Sequence, residues 1–448
     1  MESAASLKIG NYDPAEATAQ LQRTVASRRA RTALLILAAP LVGATFLSKF
    51  AIPGLHVDGI GIGFPLIYLA LACAAYTGDL LALEWSRLMA FCLMAGMLGA
   101  SSALSSEHVS TTSILFLMML HLPYVFNIQG SDRTRTAAIR VFLNIALIIG
   151  ICGIVQYAAQ SFVPTAWIFP IENLLPDSLR VTGFNMQIPL SYGSTVYRAN
   201  GIFMQEPSFY SQLLAIAVIT ELVTLNRLWR AGLLAFAIVV SQSGTGLILL
   251  AVCMPILMIA YRRGDLLLGC MALLLVLILA GPLLHIDNLV GRVGEFGSTK
   301  SSGYERFVGG FHIFDVALGT DPIRALFGYG PGAYRDVVQR LGHPAAEMAL
   351  FKIVIEFGVV GALSYFGFIF FCIFSARGPF VVRLALALCL FLNGAYNTFV
   401  HSLALSLIVW SSAISLPPIP LWAKTDREKK NNGNANNASH GAFATGST

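Results

Sequence analysis

Twelve apolar runs, most close to the length that crosses a bilayer, dominate this chain of 448 residues. They are 33–52, 59–78, 87–104, 110–127, 138–160, 207–225, 229–241, 244–261, 266–284, 346–375, 380–397 and 400–421. About 20 apolar residues in a helix span the hydrocarbon. The 229–241 run is short for that task and 346–375 is long enough to tilt or kink, so ten to twelve spans are expected. Within a bilayer the backbone must bond to itself. The runs therefore predict an all-α polytopic integral membrane protein with about 12 transmembrane helices. Composition agrees, with 56% hydrophobic and only 12% charged residues, against roughly 25% charged in soluble domains. A cytosolic enzyme, a disordered chain and a secreted disulfide scaffold are all excluded. The seven cysteines lie inside apolar runs and read as small core residues, not as a disulfide or metal framework.

Basic residues orient the spans. With the N-terminus in the cytoplasm, most Lys and Arg fall on the inside, and the outer ones gather in or beside two long loops. Long loops are exempt from the rule, so twelve spans with both termini cytoplasmic is the self-consistent topology. The expected order is a polar N-terminus (1–32), spans one to five (33–160), an outer loop (161–206) and spans six to nine (207–284). A large outer loop (285–345), spans ten to twelve (346–422) and a disordered basic tail (423–448) follow. No cleavable signal is read before the first span. Asp13, three residues before Glu16, reads as the N-cap of an interfacial helix ending near Arg31. The net charge of +6 lies mostly on the inner face and is not a nucleic-acid signal.

Charge on the outer face is the informative feature. Arginine there suits an anionic substrate, because its planar fork holds phosphate through two hydrogen bonds and stays protonated. The plain alternative is a loop kept soluble by balanced charge. Spans six, eight and ten all begin on this face, each with a polar approach: Tyr197 to Ser208, Ser241-Gln242-Ser243-Gly244-Thr245-Gly246, and Gly342-His343-Pro344 followed by Glu347, Lys352 and Glu356. Free N–H groups at helix starts attract anions, while the small residues of the second motif serve helix packing equally well. Glu206, His343 and Glu347 are candidate proton acceptors. Glu206 could instead simply satisfy a helix dipole, and Lys352 and Glu356, four apart, could neutralise each other. No zinc-protease pair, Cys/His metal spacing or Walker loop occurs. Gly328-Tyr329-Gly330-Pro331-Gly332 reads as a turn, without the strand–helix context of a nucleotide loop.

Over residues 195–365 the chain resembles the O-antigen polymerase and ligase superfamily of bacterial inner membranes. The likeness rests on four pieces in order: Arg198 to Ser208; Ser241 to Gly246; Ser302-Gly303-Tyr304-Glu305-Arg306 leading to Phe327–Gly332; and Leu350 to Gly361 with Glu356-Phe357-Gly358-Val359-Val360-Gly361. The resemblance implies a metal-independent glycosyltransferase without cofactor, acting on an undecaprenyl-diphosphate-linked oligosaccharide at the periplasmic face of the bilayer. A flippase and a chain-length regulator are the implied partners. Arg198 and Arg306 match the family's arginine positions and would hold the donor diphosphate, with Ser243 and Thr245. Arg324 and Arg335, on the charge argument alone, and Glu356 would support them. Ligases of the family carry a histidine about nine residues before the span-ten Glu; that position here is Glu347, with His343 one turn earlier. Together with Met204-Gln205-Glu206-Pro207-Ser208-Phe209, this favours an exopolysaccharide or capsule repeat-unit polymerase over an O-antigen ligase that glycosylates lipid A core. A transporter or flippase of lipid-linked oligosaccharide is the rival from another class, kept open by Lys352, Glu356 and Glu221.

Overall fold

Each apolar run winds into helix, since an N–H or C=O group facing lipid has no other partner. The computed structural model describes residues 14–52, 60–78, 80–105, 110–191, 193–279, 281, 291, 297, 301–319 and 321–411. These residues fall in the first of two units, 1–414. The expected Asp13 cap, most of 282–300 and the tail lie outside the described residues. The helices of the apolar runs are α1 (Pro14–Ala44), α2 (Gly63–Tyr76), α3 (Trp85–Leu104), α4 (Thr111–His121), α5 (Asp132–Ala159), α6 (Pro207–Thr224), α7 (Leu228–Val240), α8 (Gly244–Ala260) and α9 (Asp265–Leu279). After α9, the described residues of the second long connection form four short helices: α10 (Ser302–Phe307), α11 (Gly309–Leu318), α12 (Pro322–Phe327) and α13 (Tyr334–Leu341). The last three apolar runs form α14 (Ala349–Ser375), α15 (Phe380–Leu392) and α16 (Thr398–Ala404).

By length and composition α3, α5, α6 and α14 can each cross a membrane, and the shorter apolar helices run from 10 to 17 residues. The protein is an all-α membrane protein with one small departure. Leu81–Leu83 (β1) and Phe126–Ile128 (β2) pair antiparallel, Ala82 opposite Asn127, where the α2–α3 and α4–α5 connections meet. Helix α6 is surrounded by other helices, its polar side chains Ser211, Gln212 and Glu221 buried with the apolar ones. Its span is 94% buried, packed against α5, α7, α8 and α15. Pro207 sits in its first turn, where the missing N–H does no harm.

Helix α14, expected to tilt or kink, is broken at Gly358, whose backbone adopts φ 67° and ψ −172°. The 328–330 turn fills the gap. Tyr329 N–H donates to Ile355 O at 2.8 Å and Gly330 N–H to Glu356 O at 2.9 Å. Ser101 Oγ on α3 donates to Phe357 O at 2.8 Å and Phe327 O at 2.5 Å. The carbonyls freed by the break thus find donors, as burial demands. Gly328 is also left-handed, at φ 76°, and a Cβ on either glycine would collide with the opposite backbone. Gly358→Ala is expected to destabilise the protein by more than about 3 kcal/mol, the range of severe core and backbone faults. Thermal unfolding in detergent beside Gly367→Ala, whose Cβ meets open space, checks this.

The first long connection, 161–206, is held by buried polar groups. Lys49 Nζ bonds the Glu172 carboxylate and the Ile202 carbonyl. Asn200 Nδ2 donates to Glu172 at 3.1 Å, and Gln156 Oε1 accepts from Asn200 N–H and Gly201 N–H, each at 3.0 Å. The second connection, expected as a loop, is largely helical where described. It packs Ile313, Tyr329, Tyr334 and Val337 against Phe351 and Ile355 of α14.

Candidate active site

Both long connections come together over a cavity of about 730 Å³. The ends of four helices of the apolar runs open into it: the start of α4 (Ser113), the start of α6 (Glu206, Phe209), the start of α14 (Met348, Lys352) and the end of α15 (Leu392). Gly183 and Phe184 come from the first connection, and Arg306, Gly332, Arg335, Ala346 and Glu347 from the second. The segment Asn393-Gly394-Ala395-Tyr396-Asn397 completes the wall. Three helix starts bring the positive ends of their dipoles to one place.

The charged groups form two sets. In one, Arg306 Nη2 approaches Glu206 Oε2 at 3.4 Å, and Ser208 Oγ donates to the same oxygen at 2.8 Å. Glu206 sits at the N-cap position of α6. In the other, Glu347 is shared between Arg335 and Lys352, the second at 3.2 Å. Lys352 Nζ also lies 3.1 Å from Glu356 Oε1, and Tyr396 O–H donates to Glu356 Oε2 at 3.4 Å. The ammonium stands 5.0 Å from the Tyr396 ring centroid and 5.6 Å from that of Tyr334. Burial alone would raise the Glu347 carboxyl, but Lys352 and Arg335 outweigh it and hold it below the ordinary carboxylate range.

Of the residues singled out in the sequence, Glu206, Arg306, Arg335 and Glu347 line the cavity. Glu356 is fully buried behind Lys352. The others sit elsewhere, for visible reasons. Arg198 is built into the first connection, its N–H donating to Ile188 O at 2.9 Å and its guanidinium reaching Leu190 O at 3.5 Å. Thr245 Oγ1 donates to Ser208 O at 3.3 Å and lies 3.2 Å from Ser211 Oγ and 3.1 Å from Ser243 Oγ. The Ser243–Gly246 motif therefore fastens α8 to α6, the packing alternative, and the start of α8 stays behind α6. Arg324 pairs with Asp321 at 3.1 Å and stacks 4.6 Å from the Tyr329 centroid. His343 Nε2 meets His312 Nε2 at 3.0 Å on an exposed surface. Glu221, at the opposite end of α6 from Glu206, bonds Arg227 at 2.5 Å.

Sequence reasoning missed the 393–397 segment by absorbing it into an apolar run. An Asn-Gly pair followed by a second Asn is turn chemistry, and that signal was available. Asn393 O accepts from Ala349 N–H at 2.7 Å, tying the segment to the head of α14. Lys352 is also more than a partner for Glu356, because it reaches the cavity and joins both glutamates.

No curated protein matches the chain. The family model described as WcaD colanic acid polymerase matches residues 62–415, which include every residue lining the cavity. The chain belongs to that family, and it is a membrane-embedded polysaccharide polymerase of glycosyltransferase type.

Proposed function

We propose that the cavity is where glycan is transferred from an undecaprenyl-diphosphate-linked donor to a lipid-linked repeat-unit acceptor. The observation that carries this reading is the pairing of each cavity arginine with a carboxylate, Arg306 with Glu206 and Arg335 with Glu347, beside three helix starts. A diphosphate competes for both arginines. When Arg306 turns to phosphate, Glu206 is left with only the Ser208 hydroxyl and becomes the proton acceptor.

The step balances as follows. The acceptor hydroxyl oxygen bonds to the anomeric carbon of the donor sugar while its proton passes to Glu206. The bond from that carbon to the phosphate oxygen breaks, and the lipid diphosphate leaves with the electron pair. Arg306 and Arg335 stabilise the charge that develops on it. Glu347 is the poorer base, since two cations hold it ionised. Its role is to aim Arg335 and Lys352. This chemistry needs no metal.

The cavity faces the periplasm of a bacterial inner membrane in this reading, because both long connections meet there and the short basic flanks lie at the other ends of the helices. A flippase would deliver the donor to that face, and a chain-length regulator would act on the product. A donor analogue carrying a photoreactive group on its first sugar tests the location. Labelling of peptides containing Glu206, Arg306 or Tyr396 is expected. Labelling confined to the opposite helix ends, near Glu221, would contradict it.

A further inference from the structure

Helix α12 is six residues long and lies in the connection expected to be soluble, yet its outer surface is apolar. Pro322 and Ile323 are exposed, Ile323 by 65%, and Leu326 by 47%. Its one basic residue, Arg324, is turned toward Tyr329 and Asp321. On the neighbouring α11, Phe311 and Val316 are exposed by 59% and 41%. Side chains of this size in one exposed patch mark a surface that meets something other than water.

Helix α12 packs against α3 and α14, two of the helices long and apolar enough to cross a membrane. The Leu326 carbonyl abuts Gly358 at the break in α14. Val359, the next residue, is 44% exposed, and Leu363, one turn on, is 71% exposed. Leu104 ends α3 in the same state. Asp321 caps the start of α12, and on α11 the exposed His312 and Asp315 stand between Phe311 and Val316, so the apolar surface is that of α12.

We infer that α12 is embedded in the leaflet on the cavity's side of the membrane, and that its occupant is phospholipid acyl chain. The next residues, Gly328–Gly332, run from α12 into the cavity wall. Lipid at α12 is therefore five residues of chain from the cavity wall at Gly332, and a prenyl-linked substrate has a lateral route in which its tail never leaves the bilayer. The embedding itself rests on the membrane reading of the fold and not on the proposed reaction; only the route rests on that reaction.

The test is a depth measurement on the full-length protein in nanodiscs. An environment-sensitive fluorophore is attached through an azido amino acid at position 323, separately at 326, and at the exposed Gln339 as an aqueous reference. Blue-shifted emission at 323 and 326, quenched at least threefold more by nitroxide-labelled phospholipid than by iodide, is the expected result, with the reverse at 339. Iodide quenching at 323 and 326 equal to that at 339 would overturn the inference. Shielding of both positions from iodide and from lipid nitroxide would also overturn it, by showing that protein covers the face. Neither outcome depends on polymer synthesis, so failure here is separable from failure of the proposed reaction.

Discussion

Glu206→Gln is expected to bind the lipid-linked donor at least as well as the wild type and to turn it over about 10²–10⁴-fold more slowly, the usual size of a general-base contribution. The amide has nearly the carboxylate's shape and its oxygen can still accept from Ser208, so the start of α6 is kept. It can take no proton from an acceptor hydroxyl. Arg306 loses its carboxylate partner at 3.4 Å and is freer to meet a diphosphate, so donor affinity does not fall. Single-turnover measurement with saturating donor separates binding from chemistry. Turnover within threefold of wild type would remove Glu206 from the reaction and leave Glu347 as the remaining cavity carboxylate.

Arg306→Ala and Arg335→Ala should each lower turnover about 10²–10³-fold, the effect of losing one group that stabilises developing charge. The double variant should lose more than about 10⁴-fold. Lysine should rescue neither fully, because one ammonium cannot match the bidentate fork. Loss of the fold does not account for the Arg335→Ala effect. Arg335 is 67% exposed, and exposed ion pairs contribute little to stability, so melting temperatures should stay near the wild type. Arg324→Ala is the control. Its guanidinium is engaged with Asp321 and Tyr329 away from the cavity, and polymer synthesis should survive its loss. Equal sensitivity at 306, 335 and 324 would show a diffuse field of charge in place of a site.

Helix positions were legible because hydrophobicity alone decides which segments enter lipid. Each apolar run holds one helix, and the long run 346–375 does bend. The residue at the bend was in view too, within Glu356-Phe357-Gly358, but its cause was not. Gly358 is left-handed because Gly328, 30 residues earlier, brings a turn against it, and no local pattern encodes a contact between two backbones. The site was half legible for a similar reason. Charge at predicted outer helix ends pointed to Glu206, Arg306, Arg335 and Glu347. It pointed equally to Arg198 and Arg324, which differ only in the partners the fold supplies. The motif from Tyr197 to Gln205 is rich in polar side chains because it must bond to Gln156, Glu172 and Ser48, and that work resembles ligand binding when read in one dimension. Ser243 and Thr245 likewise serve helix contact. His343 stands away from the cavity against His312, 31 residues earlier in the chain.

The most direct test of the central claim is synthesis from purified components. The protein is reconstituted in vesicles with its lipid-diphosphate-linked repeat unit as both donor and acceptor, with chelator present, and the products are separated by size. A ladder of lipid-linked glycans, one repeat unit apart, with stoichiometric release of lipid diphosphate and no ladder from Arg306→Ala, is the predicted result. Glycolipid crossing the bilayer with no new glycosidic bond, or a ladder unchanged by Arg306→Ala, would contradict it.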